Sequence, residues 1–219
     1  MFSRILRKFK LRAMPGEYST VEAYWSERAK LYGKHSVLNM AHGKKEFDVV
    51  TAFQKQVLFP LLESELQGTE KNVLDYGCGP GRFTCDLAKL IGGDAIGVDI
   101  TQELLNIAPK SQSVTYQIIK SGEIPYADSS FDFVWVCLVL GGIAEEEITK
   151  TIIEINRVLR RGGLFFYVEN TANAVSTNYW RFRDEATYLR LAAFCNPRVI
   201  GHYVDLGQQI TIFAGRKIA

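Results

Sequence analysis

The sequence predicts an α/β fold built on a doubly wound, mostly parallel sheet, and three observations predict it. From Asn72 onward, short apolar runs alternate with stretches of helical period, the pattern of strands covered by helices on both faces. The first of those runs leads straight into Gly77-Cys78-Gly79-Pro80-Gly81, where a glycine-rich turn sits at the carboxyl end of a strand and a ligand is normally received. Two strand-like runs close the chain and meet at Gly207, a junction too short for a crossover, so they must pair antiparallel.

Taken in order, residues 1–12 place Phe2, Ile5, Leu6 and Phe9 on one helical face and Arg4, Arg7, Lys8 and Lys10 on most of the other. Met14-Pro15-Gly16 ends this basic amphipathic segment, so residues 1–16 are expected to be detachable from a single domain over 17–219. Within that domain, residues 17–70 are expected to be helical and 71–219 to form the α/β core. A helix is expected from Glu17 to Tyr32, then a loop carrying Gly33, His35, His42 and Gly43, then a helix from Lys44 to Leu66 that Pro60 should kink or split. The core reads as strand NVLDY, a helix to Ile91, strand AIGVD, a helix over 102–108, strand SVTYQII, strand FDFVWVCLVL, a helix over 145–159 and strand GLFFYVEN. A helix over 179–193 and the strands 198–206 and 208–214 complete it, giving one antiparallel strand at the C-terminal end of the sheet.

Composition excludes several classes. With 219 residues, 47% hydrophobic and 23% charged, the chain is an ordinary globular one, neither disordered nor collagenous. Its formal charge of +2 is uneven: five basic residues lie in the first twelve, leaving 21 basic against 24 acidic in the remainder. A mildly acidic body argues against a nucleic-acid partner. Cys78, Cys85, Cys137 and Cys195 form no C-x-x-C pair and no zinc-type cluster, so no metal site is expected and the thiols fit a reducing, cytoplasmic setting. The basic segment adds the expectation of weak, reversible contact with an anionic membrane surface.

The loop discriminates between ligands. It reads G-x-G-x-G, not the G-x-G-x-x-G that aims a helix N-terminus at pyrophosphate, and it has no P-loop lysine. Asp75 precedes it, and a carboxylate there repels phosphate and suits a cationic amine. Asp99, at the end of the next strand, stands where an acid accepts hydrogen bonds from both hydroxyls of a ribose. Asp99 also stands where it would cap the helix starting at Thr101.

Together VLDYGCGPGRF, GVD, IPYADSSFD and EINRVLRRGG resemble the class I S-adenosylmethionine-dependent methyltransferases, particularly the type 11 branch, from about Asn72 to Asn170. The resemblance implies a Rossmann-like fold whose N-terminal helices fold over the cofactor as a lid. It implies that Asp75, Gly77, Cys78 and Gly79 line the methionine part of the cofactor, that Asp99 holds the ribose and that Ile100 packs on adenine. It further assigns adenine contacts to Ser121, Gly122 and Glu123, a backbone contact with the methionine part to Leu138, and cofactor cover to Tyr24, Trp25 and Arg28. Two positions depart from the pattern: Lys120 stands where many relatives carry an adenine-binding Asp, and Leu140-Gly141-Gly142 stands where many carry Leu-His-His.

The chemistry so implied is in-line transfer of a methyl group from a sulfonium to a small-molecule acceptor, with a hydroxyl of a sugar or other metabolite as the expected class. Catalysis would then rest mainly on alignment. A base is needed only for a hydroxyl or protonated amine, and His42, His202 and Glu169 are the candidates, with Asn170 beside them at the expected mouth of the substrate site. Two other readings stay open: a non-catalytic S-adenosylmethionine-binding partner subunit, and a nicotinamide-dependent oxidoreductase, which the loop spacing disfavours. Deleting residues 1–12 is expected to leave cofactor affinity intact and to reduce sedimentation with anionic vesicles; full-length protein that never sediments would refute the membrane contact.

Overall fold

A computed structural model describes residues 18–218; the basic segment expected over residues 1–16 lies outside them. Seven strands form one sheet in the order β3-β2-β1-β4-β5-β7-β6. They are β1 (Asn72–Tyr76), β2 (Asp94–Asp99), β3 (Val114–Ile118), β4 (Phe131–Cys137), β5 (Leu159–Asn170), β6 (Arg198–Asp205) and β7 (Gln208–Arg216). β7 runs antiparallel to both β5 and β6, and the other strand pairs are parallel. The tight turn at Leu206 and Gly207, both with positive φ, folds β7 back between β5 and β6, as the short junction requires.

The central strands are apolar on both faces because both faces are covered. In β1, β4 and β5 successive side chains alternate between two cores. Leu74, Val134, Val136, Phe165 and Tyr167 meet Ile148, Ile152 and Ile155 of α5 (Glu145–Val158) and Tyr188 of α6 (Glu185–Leu191). On the other face Val73, Phe133, Trp135, Leu164 and Phe166 meet Leu58 and Leu62 of α2 (Phe47–Glu65) and Leu87 and Ile91 of α3 (Thr84–Ile91). Trp135 stacks on Phe166 with ring centroids 5.0 Å apart, so the sheet interior is filled by aromatic layers.

Local signals fix the helix ends. Thr20 caps α1 (Val21–Tyr32) by accepting from the Ala23 N–H at 3.1 Å, and Asp184 caps α6 by accepting from Thr187 at 2.8 Å. Three glutamates open α5 and Arg157 lies in its last turn, the arrangement that the helix dipole favours. Gly92 closes α3 in the left-handed conformation. α2 is not split at Pro60: it runs unbroken for 19 residues, with Leu58 and Leu62 fully buried on either side of the proline. The helix expected over 179–193 shrinks to α6, because Tyr179, Trp180 and Phe182 belong to an irregular segment that turns over the sheet end, and Asp184 starts the helix only after them. No helix among the described residues is long and apolar enough to cross a membrane.

One buried carboxylate sets the shape of the sheet end. Glu169, at the end of β5, is fully buried and accepts from the N–H groups of Val139, Leu140 and Gly141 at 2.9, 2.7 and 3.2 Å, holding the turn that follows β4. Burial pushes its pKa up to about 7, against the pull of those three N–H groups. Glu169→Ala should cost roughly 3 kcal/mol of stability in urea unfolding, since it strands three buried donors; a loss below about 1 kcal/mol would mean the turn holds itself.

Candidate functional site

Parallel strands deliver their carboxyl ends to one edge, and the chain reverses its direction of winding between β1 and β4. A crevice opens there. Here it is a cleft of about 430 Å³, within the range of small-molecule and cofactor sites, floored by the loop after β1 and roofed by α1, residues 37–40 and the 177–182 segment.

The floor depends on glycine. Gly77, Gly79 and Gly81 have φ of 71°, 54° and 70°, a region costly for other residues. A Cβ on Gly77 would fall 2.5 Å from Val139, and one on Gly81 2.4 Å from the Tyr116 hydroxyl, so the turn has no room for a side chain at either point. The N–H groups of Gly77 and Cys78 both donate to Val98 O, at 2.8 and 3.0 Å, which ties the start of the loop to β2. Asp99 completes the fastening: Oδ2 accepts from Gly79 N–H and Oδ1 from Thr101 N–H, each at 2.8 Å. Its carboxylate therefore supports the start of α4 (Gln102–Leu105) and lines the cleft at once, with lone pairs left over for a ligand.

Asp75 is 3% exposed and accepts from the Thr84 hydroxyl at 2.6 Å. Burial raises its pKa to about 7, and the neighbouring charge of Asp99 adds to the rise. A cation arriving in the cleft reverses that cost. Burial likewise raises the pKa of Asp99. Two buried carboxylates along one wall make the cleft a receptor for cationic or hydroxyl-bearing groups, while Ile100, Leu104, Ile119 and Ile143 supply an apolar stretch for a flat ring.

The roof is held by contacts that leave its inner face on the cleft. Arg28 donates to Ser36 O at 2.7 Å, Leu38 O at 2.9 Å and the Tyr24 hydroxyl at 2.7 Å, clamping α1 to the turn after it. Tyr24 stacks on Tyr179 at 4.0 Å, joining α1 to the 177–182 segment, and Ser26 donates to Glu103 of α4 at 2.8 Å.

Most of the residues singled out from sequence come together here. Asp75, Gly77, Cys78, Gly79, Asp99, Ile100, Ser121, Leu138, Tyr24, Trp25 and Arg28 all line the cleft, and Leu138 does so with a φ of 59°. Gly122 and Glu123 do not: Gly122 packs under Lys150, and the half-exposed Glu123 carboxylate points to the Lys150 ammonium at 3.9 Å. Lys120 is exposed and lies off the cleft, so it opposes nothing inside. Of the base candidates, Glu169 is sealed behind the wall with its oxygens taken by backbone donors, and its neighbour Asn170 lines the cleft instead. His202 stands on the outer strand, 46% exposed and 2.7 Å from Glu185, away from the cleft. His42 is also off the lining, but its Nε2 lies 2.8 Å from Asp205 Oδ1, and Asp205 faces the cleft.

Sequence reading missed Arg82, Asn39, Asp205 and Gln208, which line the end of the cleft beyond Leu138. Arg82 had a signal in its place next to the third glycine. Asp205 and Gln208 flank the β6–β7 turn, and only strand order shows that this turn rises beside the ends of β4 and β5. No group of three or more ligating side chains fit for a metal ion occurs among the described residues.

Comparison with known proteins agrees with this geometry. Residues 74–167 match the family model described as a methyltransferase domain. A demethylmenaquinone methyltransferase of Symbiobacterium thermophilum is 33% identical over 107 residues, 45% of this chain and 42% of that protein, so the chain matches less than half the length of this relative. Among solved structures, Haemonchus contortus phosphoethanolamine N-methyltransferase 2 in complex with S-adenosyl-L-methionine superposes with a TM-score of 0.63 at 17% identity, covering 75% of this chain and 53% of that one. The [4+2]-cyclase SpnF gives a TM-score of 0.64 at 16% identity, covering 91% of this chain and 98% of that one. The glycine loop and the paired acids Asp75 and Asp99 lie inside the matched region, so this part of the chain is similar to a methyltransferase domain.

Proposed function

We propose that this chain transfers a methyl group from S-adenosylmethionine to a hydroxyl of a small molecule, a sugar or similar metabolite. The observation that carries the cofactor half of this reading is the cleft floor. Three left-handed glycines leave bare backbone beside Asp75 and Asp99, so an amino-acid amine and a ribose find complementary groups on adjacent strand ends. When bound, the cofactor supplies an electrophilic methyl group on a sulfonium. The chain's own residues do the rest: Asp75 and Asp99 orient, the apolar wall from Ile100 to Ile143 takes the adenine, the α1 roof excludes water, and Asp205, with His42 Nε2 2.8 Å from its Oδ1, takes the proton that the acceptor hydroxyl gives up.

Support for a hydroxyl acceptor comes from the far end of the cleft. Asn39, Asn170 and Gln208 present amides there beside the Asp205 carboxylate, a set that both donates and accepts, as polyhydroxylated molecules require. Asn170 donates to Gln208 Oε1 at 2.8 Å, which fixes the direction of both amides. The likeness to demethylmenaquinone methyltransferases supports a small acceptor in general. The cleft's size and its cover by α1 and the 177–182 segment favour a small acceptor over a macromolecule. Attachment of residues 1–12 to a membrane surface would bring the site close to an amphiphilic acceptor, and the vesicle experiment above decides that part.

Calorimetry with S-adenosylhomocysteine tests the reading directly. Micromolar binding is expected, and folded protein that binds neither this compound nor S-adenosylmethionine would overturn it. Affinity should rise with pH through about 7, because the ligand's ammonium favours ionised Asp75 and below that pH binding must first release its proton. Asp75→Asn should flatten the profile. Asp99→Ala should weaken binding by about 1–3 kcal/mol, by removing the acceptor of the ribose hydroxyls and freeing Gly79; unchanged affinity would reduce Asp99 to a helix cap.

A further inference from the structure

Backbone N–H groups fix the direction of the amides at the far end of the cleft. Ala172 N–H donates to the Asn170 side chain at 3.0 Å and Ala41 N–H to that of Asn39 at 3.0 Å, so the atom met in each case is the amide oxygen. The two asparagine nitrogens therefore point the other way, and both reach one atom of Gln208, at 2.8 Å from Asn170 and 3.5 Å from Asn39. That atom has to be Oε1, since two donors meet there. All three amide oxygens are then occupied. What remains to the amides is donors: Gln208 Nε2, which makes no hydrogen bond among the described residues, and the second N–H of Asn170 and of Asn39. Asn170 is 7% exposed, and all three residues line the cleft. An N–H group buried without a partner is costly, and a ligand oxygen removes that cost.

The acceptor at this end is Asp205, whose Oδ1 lies 2.8 Å from His42 Nε2 and whose other oxygen has no hydrogen bond among the described residues. Asp205 and Gln208 pair across the β6–β7 turn, so their side chains leave the same face of the sheet about 5 Å apart. A hydroxyl donating to Asp205 and an oxygen accepting from Gln208 thus belong on neighbouring carbons of one molecule. Charge decides which oxygen. The amides are neutral. Arg82 also lines the cleft, but it donates to Thr51 and Gln54, and Asp75 and Asp205 oppose its charge. No surplus positive charge is left for a carboxylate or phosphate, whereas a neutral carbonyl needs only the N–H groups on offer. A second hydroxyl fits less well: it can accept from Gln208, but it brings a proton for which the amides have no oxygen left.

We infer that the methyl acceptor is a hydroxycarbonyl compound, its carbonyl oxygen taking the N–H groups of Gln208 and Asn170 while its hydroxyl donates to Asp205. This rests on the methyltransferase reading and narrows its acceptor, from any hydroxylated molecule to one with a neutral carbonyl beside the reacting hydroxyl. Gln208 is the specificity-determining residue, because its amide nitrogen is the donor that the fold leaves wholly unused. Asn39 and Asn170 orient it by holding its oxygen.

Acetoin and butane-2,3-diol share one carbon skeleton and differ in a carbonyl against a hydroxyl, and lactate carries a carboxylate beside its hydroxyl. Each is titrated by saturation-transfer NMR into the full chain saturated with S-adenosylhomocysteine. Wild type is expected to bind acetoin about fivefold more tightly than the diol, the scale of one neutral hydrogen bond, and more tightly than lactate. Gln208→Glu keeps an oxygen for the two asparagines and removes the donor, so it should bring acetoin and the diol to within about twofold; calorimetric binding of S-adenosylhomocysteine shows that the variant is folded. Equal binding of acetoin and the diol would overturn the inference in wild type alone, as would a preference for lactate or no binding of any of the three to the loaded chain. A preference that survives in Gln208→Glu would overturn it too. Wild type that does not bind S-adenosylhomocysteine would instead overturn the cofactor reading, so the two failures are distinct.

Discussion

Asp99 is the fastening on which the site depends. Its two oxygens accept from Gly79 on one side and Thr101 on the other, so a single side chain at the end of β2 fixes both the glycine loop after β1 and the start of α4. The loop has little other means of keeping its shape. Glycines at positive φ offer conformational freedom and no packing, and what restrains them is backbone bonding to Val98 together with this carboxylate. A residue expected to bind ligand and a residue expected to cap a helix are here the same residue. Its place between the glycine loop and α4 follows from the geometry of two neighbouring parallel strands, in which Tyr76 pairs with Val98 and leaves Asp99 level with the first glycine.

Three buried carboxylates divide the labour at the sheet end. Asp75 and Asp99 face the cleft, where incomplete compensation leaves each able to gain from a ligand. Glu169 faces away from it and is satisfied by backbone donors, so its charge maintains the turn over which Leu138 and Val139 reach the cleft. The distinction is one of hydrogen-bond partners, not of residue type or burial. The same logic applies on the roof, where Arg28 is committed to carbonyls and a tyrosine hydroxyl and holds α1 in position.

The sheet and loop locate a ligand without naming the chemistry that follows. A [4+2]-cyclase shares this fold over most of its length, so fold likeness alone leaves the reaction open. What narrows it here is the methyltransferase-domain match over residues 74–167 together with the character of the cleft's far end, where three amides and one carboxylate gather. His42 reaches that end only through Asp205, and the packing of the α2 entry against the β6–β7 turn brings the two together across 163 positions of sequence.

By itself the sequence determined the local order: which runs are strands, where the glycine loop lies, and that Asp75 and Asp99 stand at consecutive strand ends. These follow from short-range physics, the period of apolar residues and the backbone freedom of glycine, so they can be read from neighbouring letters. The same reading put Glu169 and His202 among the bases and passed over Arg82 and Asp205, because the direction a side chain faces is not a local property. Glu169 lies one residue from Asn170 and on the opposite side of the strand, so one is sealed and the other lines the cleft. Arg82 became distinctive only when α2 closed over it and bonded its guanidinium to the neutral side chains of Thr51 and Gln54. The tertiary structure decided which charges are left for a ligand, since compensation depends on every chain segment that packs nearby and not on the sequence around the charge.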